Sequence, residues 1–318
     1  MKNQPLRLRV AIMTDQVGWH TRALQRALRE RGSEGRCVDL ADCRVDTQHA
    51  WHGLVLPGFG RELPDAVIVR GIAAGTFEQV TKRLGVLHAL REFGVPVYND
   101  ARAIERSVDK SMTTLLLHAA GVPTPPTWAL ESPELARRLV MRESAAGHAL
   151  VLKPLFGSQG KDVRRVGRVD GRHLPLPALG RRYGSLAYLQ RFVPPQSDPG
   201  FDWRVLVVGG RAVAAMRRVS RHWVHNVARG ARCEPQPLDG TSGRALARCA
   251  EAAAGALAMD YAGVDLIPCG DALAVLEVNG IAAWQGLQRV NRLDIARALV
   301  DDLVDRKIGA AAAAARRA

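Results

Sequence analysis

The chain is short of aromatic residues and has no cysteine pairing pattern, and each shortage removes a class of function. Phe, Trp and Tyr make up 5% of the 318 residues. They are not interleaved with basic residues into a platform on which single-stranded bases stack. The five cysteines, Cys37, Cys43, Cys233, Cys249 and Cys269, are odd in number and never spaced CxxC. Neither a disulfide framework nor a zinc site follows from them, and a reducing cytoplasm is the expected setting. No apolar run approaches the roughly 20 residues that cross a bilayer. The opening MKNQPLRLRVAIMTD has only a short apolar stretch ended by Asp15, too short for a secretory signal. A GxGxxG loop, a Walker loop and a Ser-His-Asp or Cys-His constellation are also missing.

What is present is positive charge, +14 at neutral pH, in a chain that is 47% hydrophobic and 24% charged. The balance favours acidic partners without selecting one, and the excess of arginine over lysine equally suits a GC-rich coding sequence. Strand signals at LRLRVAIMTD, RCVDLADC, DAVIVRGI and VPVYND alternate with helical or loop segments, which predicts an open parallel sheet through about residue 103. A helix is expected over AIERSVDKSMTTLLLHAA (103–120), then a helix after Pro133, and the strands ALVLKP, DVRRVGRV and AYLQRFV. FDWRVLVVGGRAVAAMRRVS reads as a hairpin turning at Gly209–Gly210, followed by a polar loop to about Leu238. Arg244–Met259 and ARALVDDLVDRK read as helices, and GAAAAAARRA as a frayed tail.

VDLIPCGDALAVLEVNG carries the densest chemical signal. Two apolar strands flank a Gly270–Asp271 turn; a turn centred near Asp271 brings Asp265 roughly opposite Glu277, and Asn279 shares the face of Glu277. Three hard oxygen donors on a rigid hairpin suit Mg2+; two edge carboxylates facing water are the alternative. Lys153 ends a strand ahead of Gly157–Gly160, where small residues let amides approach phosphate; an ordinary turn fits the same residues. Gln190 and Arg191 enter a linker able to hold adenine or to act as a bare hinge. Asp202 and Arg204 alternate on one strand face, and Arg218 ends the partner strand as a bidentate fork or as part of a solvated edge. His222, His225, Asn226 and Arg229 follow in a loop without the acidic or thiolate partners of a metal site.

In this order, NDARAIERSVDK, VLKPLFGSQGKDV, YLQRFV, DWRVLVVGGRAVAAMRRVS and AGVDLIPCGDALAVLEVNG resemble the ATP-grasp superfamily, and within it the RimK-like α-L-glutamate ligases, over about Leu8 to Ile308. The resemblance implies an α/β chain whose α+β lobes form an ATP-grasp fold behind an N-terminal Rossmann-like domain. Its expected divisions are an N-terminal pre-ATP-grasp domain (1–103), a central lobe (104–188), a C-terminal lobe (189–308) and a disordered tail (309–318). It implies that Lys110 and Lys153 hold phosphates, that Gly157, Ser158, Gln159 and Gly160 cover them, and that Gln190, Arg191, Phe192 and Val193 read adenine. Asp202 then contacts the nucleoside, Asn226 contacts nucleotide or metal, and Asp265, Glu277 and Asn279 bind metal. Arg204 and Arg218 become the catalytic arginines that steady the acyl phosphate and its oxyanion.

The implied reaction is ATP-dependent ligation through an acyl phosphate, adding L-glutamate to an acidic acceptor, a pterin or a peptide C-terminus, with release of ADP and phosphate. The cofactors are ATP and two Mg2+ ions, with Mn2+ able to substitute, in a cytoplasmic homo-oligomer without membrane contact. Val224 and His225 stand where RimK has an Arg-Ser-Asn run, which removes a charge near the substrate. The ending NGIAAWQGLQRV is similar to a branch tied to tetrahydromethanopterin. Another amino acid or a peptide as substrate, and a non-catalytic nucleotide- or RNA-binding scaffold, are the competing readings.

Overall fold

Both faces of the N-terminal sheet are covered, which is why its strands read as continuous apolar runs. In the computed structural model, which describes residues 7–157 and 160–315, β1 (Arg9–Met13) pairs in parallel with β2 (Glu34–Val38). A small hairpin of β3 (Arg44–Val45) and β4 (Leu54–Val55) follows; strands this short leave no alternating signal to read. Next, β5 (Ala66–Val69) and β6 (Val97–Tyr98) complete a parallel sheet of order β2-β1-β5-β6. Val10 and Ile12 meet Leu24 and Leu28 of the helix Trp19–Glu30 on one face. Ala11 and Met13 share a core with Leu87 and Leu90 of the helix Phe77–Glu92 on the other.

The expected single helix over 103–120 is two helices, Ala101–Val108 and Lys110–Ala119. Asp109 takes an extended conformation between them, and its carboxylate accepts the N–H groups of Ser111 (2.8 Å) and Met112 (3.1 Å). This N-cap starts a fresh helix and sets Lys110 in its first turn.

The central sheet contains β7 (Thr127–Leu130), β8 (Ala149–Lys153), β9 (Arg164–Val169), β10 (Arg172–Leu174) and β11 (Ala187–Arg191), antiparallel in the order β10-β9-β8-β11-β7. The helix Pro133–Ala145 lays Ala136, Leu139 and Val140 on Leu150, Leu152 and Leu189. The third sheet runs β14-β13-β12-β15-β16, from β12 (Gly200–Val208), β13 (Arg211–Ser220), β14 (Arg232–Pro235), β15 (Tyr261–Cys269) and β16 (Ala272–Asn279). β14 lies in the segment expected to be a polar loop. The helix Gly240–Ala256 packs Leu246, Ala250 and Ala253 against Val205, Val264 and Val275.

Where a disordered tail 309–318 was expected, Gly309–Ala315 is helical, continuing Ile295–Asp302 through Leu303–Ile308. A run of alanine has the strongest helix preference and needs no cap to extend a helix already formed. Residues 316–318 lie outside the described residues.

The N-terminal and C-terminal parts share a core: Tyr98, Leu206, Met216, Tyr261 and Trp284 belong to the same buried cluster as Val10 and Ile12. Asn99, fully buried, ties the same parts by polar bonds. Its amide donates to the carbonyls of Tyr261 (2.7 Å) and Gly280 (2.8 Å), and its carbonyl accepts from the N–H of Asp260 (2.6 Å) and Tyr261 (3.1 Å). Asn99→Ala would leave four buried backbone groups without partners, an expected loss of roughly 3 kcal/mol. Urea unfolding checks this, and an unchanged midpoint would show that the junction does not depend on Asn99.

Candidate active site

A cleft of about 660 Å³ opens between the central sheet and the C-terminal sheet. Its floor is set by strand register. Asp265 on β15 pairs with Glu277 on β16, one residue beyond the partner that the turn at Gly270 alone would give it, and Asn279 pairs with Gly263. The register shifts between Asp265 and Leu266, a bulge that takes up Leu276 beyond the pair. On β12, Asp202 pairs with Arg218 of β13, and Arg204 pairs with Asp265 of β15.

These cross-strand neighbours form a buried chain of charge. Arg218 donates through Nε and Nη2 to the two Asp202 oxygens, both at 2.7 Å, and Nη2 lies 3.1 Å from Asp265. Arg204 donates to both Asp265 oxygens at 2.6 and 2.7 Å. Burial pushes the Asp265 carboxyl up, but the Arg204 and Arg218 guanidiniums outweigh it and hold the group below its ordinary pKa. A solvated basic edge at Arg218 is thereby overturned, since the residue is 4% exposed.

Toward the central lobe, Lys153 at the end of β8 donates to Gln190 Oε1 (2.6 Å), and Gln190 donates on to Thr127 (3.1 Å). Desolvation lowers the Lys153 pKa to about 8 against the pull of Glu277. Lys110 donates to the carbonyls of Leu155 (3.2 Å) and Gly157 (3.0 Å), and its ammonium stands 3.9 Å from Glu277. A lysine in the first turn opposes the helix dipole, so these acceptors keep it facing the cleft. Gly160 has φ +65°, and a Cβ there would lie 2.9 Å from Val224. Ser158 and Gln159 of the same loop lie outside the described residues.

Not all predicted residues present a side chain to a ligand. The Arg191 guanidinium is bound by Glu143 at 2.7 Å, leaving only its backbone in the linker. The amides of Arg191 and Phe192 donate to Pro126 and Ala149, so Val193 has the linker N–H without a partner among the described residues. The Phe192 ring meets Trp223 edge-on, and Arg165 stacks over both at 5.4 and 5.5 Å. Asn226 accepts from the Ala228 N–H with its carbonyl and keeps its amide for the cleft, which it lines.

Cleft residues that the sequence did not single out for chemistry include His20, Trp223 and Arg289. His225 was weighed only as a metal ligand. Its pKa is held down to about 4 by burial and by Arg218, and its Nε2 is buried without a partner.

The oxygen donors fit a hard cation. Asn279 donates its Nδ2 to the Gly263 carbonyl (3.3 Å), which leaves Oδ1 for a ligand beside Glu277. Asp265 is reachable only in competition with the two arginines. Among the described residues no cluster of three His, Cys, Asp or Glu side chains is present, and the third donor of this set is an amide oxygen.

The chain matches the RimK-like ATP-grasp domain over residues 107–303 and the RimK PreATP-grasp domain over residues 8–104. It is 33% identical to the tetrahydromethanopterin:alpha-L-glutamate ligase of Methanosarcina acetivorans over 309 residues, 86% of this chain and 92% of that one. It is 31% identical to a probable alpha-L-glutamate ligase of Hahella chejuensis, covering 90% and 91% of the two chains. Among solved structures, the ATP-grasp ligase PsnB complexed with a minimal precursor, Mg and ADP superposes with a TM-score of 0.67 over 94% of this chain and 97% of that one, at 22% identity. D-alanine–D-alanine ligase of Bacillus anthracis does so at 0.63 over 96% and 99%, with 14% identity. At these identities the structures speak for the fold.

A phosphate placed beside Lys153 would favour its charged form and raise its pKa above about 8 in the complex. Nucleotide binding near pH 8.5 should therefore take up a proton, and affinity should fall as pH rises above about 8. Calorimetry in two buffers of different ionisation enthalpy reads the proton directly; equal apparent enthalpies would remove Lys153 from the phosphate site.

Proposed function

The chain belongs to the RimK-like ATP-grasp family, and from that premise we propose that it adds L-glutamate to a pterin-type acid through an acyl phosphate, releasing ADP and phosphate. It is an ATP-dependent ligase forming carbon–nitrogen bonds. The observation that carries the finer reading is that one cleft holds two lysines on its central-lobe side and a buried arginine–carboxylate chain on its floor. Similarity to the tetrahydromethanopterin:alpha-L-glutamate ligase of Methanosarcina acetivorans supports both glutamate and the pterin, and similarity to the probable alpha-L-glutamate ligase of Hahella chejuensis supports glutamate. Two Mg2+ ions, replaceable by Mn2+, a homo-oligomeric state and a cytoplasmic location complete the reading.

In this reading Lys110 and Lys153 bind the phosphates, and the Val193 amide with the Phe192–Trp223 pair orients the base, which lowers the entropic part of the barrier. Asp265, Glu277 and Asn279 would hold Mg2+, whose contribution when bound is to offset negative charge on the phosphates. Arg204 and Arg218 supply preorganised donors where charge develops on the acyl phosphate and on the tetrahedral oxyanion. The acceptor carboxylate takes the γ-phosphoryl group, the glutamate amine attacks the acyl carbon, and phosphate leaves. Enclosure by the two sheets keeps water from the acyl phosphate.

Purified protein with ATP, Mg2+ and L-glutamate should add a glutamyl mass to tetrahydromethanopterin and release ADP. A ribosomal peptide gaining the mass instead would move the acceptor to protein, and ATP left untouched in all cases would refute the reading. Glu277→Gln should keep the circular dichroism of the wild type and lose ADP release by about 100-fold or more; wild-type turnover would remove Glu277 from the metal site.

A further inference from the structure

The cleft ends against the N-terminal domain, at a point the fold marks out. In the order β2-β1-β5-β6 the chain leaves β1 toward one edge and returns to β5 on the other side. The crevice beyond the carboxyl ends of two such strands is where open α/β sheets take ligands. The loop after β1 leads to His20, and the loop after β5 begins with Arg70.

Trp284, 1% exposed, joins this crevice to the C-terminal lobe. Its backbone N–H donates to His20 Nε2 (3.1 Å), its ring meets the imidazole edge-on at 4.6 Å, and the Arg70 guanidinium lies 4.5 Å above it. A ring nitrogen that accepts an N–H carries no proton. Burial and Arg70 together hold the His20 pKa down to about 4, so the neutral ring keeps its proton on Nδ1. That N–H has no partner among the described residues, and His20 lines the cleft.

Trp284 also caps the short helix Gln285–Arg289. Arg289 is exposed in the same cleft and forms no ion pair among the described residues. Its helix packs beside the strand pair that carries Arg218: a Cβ on Gly286 would lie 3.4 Å from the sulfur of Cys233, the cross-strand partner of Arg218. Asp202 and Asp265 balance Arg218 and Arg204, so Arg289 is the uncompensated charge of the group.

We infer that His20 and Arg289 form a carboxylate subsite at the N-terminal-domain wall of the cleft, determining which acid the ligase accepts. The inference rests on the ligase reading above. A guanidinium supplies charge and a two-pronged donor set, and a neutral imidazole N–H adds a donor without repelling it. The carboxylate belongs either to the side chain of the incoming amino acid or to the acidic end of the acceptor.

Calorimetry with ADP and Mg2+ present, titrating L-glutamate, L-glutamine and tetrahydromethanopterin separately, distinguishes the two sources. Arg289→Gln and His20→Phe should both weaken the same ligand, Arg289→Gln by about 10-fold or more, with ADP affinity retained. His20→Asn, which keeps an N–H donor, should recover part of the loss. If glutamate is the ligand gripped, Arg289→Gln should also reduce its preference over glutamine. Wild-type affinities in both variants, weakening of different ligands by the two, or an equal loss of ADP affinity would each overturn the subsite. A wild-type protein that binds neither acid would overturn it too. A wild-type protein that binds the acids but never joins them would overturn the ligase reading alone.

Discussion

Asp265 is claimed from two sides by arginine, and the C-terminal lobe is arranged around that competition. Arg204 occupies both of its oxygens, and Arg218 bridges it to Asp202. Removing one member of such a buried chain leaves an uncompensated charge and costs roughly 3–5 kcal/mol, whereas apolar replacement of the whole set is often neutral. Stability alone therefore gives no reason for four ionised groups in this place. Their value lies in position: β12 sits between β13 and β15, so Asp202–Arg218 and Arg204–Asp265 are direct cross-strand partners. A one-residue slip would turn the set to the opposite face. A cation bound at Glu277 and Asn279 would draw on Asp265, and any share it takes frees Arg204 to turn toward substrate.

The distribution of apolar cores complements this rigidity. The N-terminal and C-terminal parts share a buried cluster and the Asn99 bonds, while the central sheet has a core of its own around Leu150, Leu152 and Leu189. A lobe with a separate core can move as a body about its linkers. Lys153 and Gln190 belong to that lobe, whereas Glu277 and the charge chain belong to the C-terminal one. Lys110 spans the two, donating to the Leu155 and Gly157 carbonyls while standing 3.9 Å from Glu277. Arg229 makes a second bridge, donating to the Gly160 carbonyl at 2.6 Å. In the proposed reading, closure and phosphate binding would thus involve the same few groups.

Much of this was legible because it is local. The Gly270 turn brought Asp265 to within one residue of Glu277, the bulge at Leu276 supplied the last step, and period-two alternation put Asp202 and Arg204 on one face. The pairing of Arg218 with Asp202 was not legible, since the turn at Gly209–Gly210 alone would set Arg217 opposite Asp202 and a bulge beside Leu206 moves the pairing to Arg218. The helix break at Asp109 was written in a capping residue, but a continuous apolar spacing on either side concealed it. His20 and Trp284, 264 residues apart, carry no local signature of their contact. It follows from the shared core that folds the N-terminal domain onto the last sheet.

Val224 places an apolar side chain at the rim of the cleft. The RimK pattern has a cation near this position, whereas here Val224 fits against Gly160, so closely that a Cβ on the glycine would lie 2.9 Å away. The contact between these loops is therefore made by shape and by the Arg229–Gly160 bond rather than by a charge at position 224. A ligase joining acids still has to hold a carboxylate beside a phosphate, and neither Arg204 nor Arg218 is free of its own aspartate. Arg289, which lines the cleft without an ion pair among the described residues, stands on the helix that Trp284 begins, and Trp284 also holds His20. The two ends of the cleft thus differ in kind: apolar Val224 closes on Gly160 at one, and an exposed guanidinium and a neutral imidazole line the other.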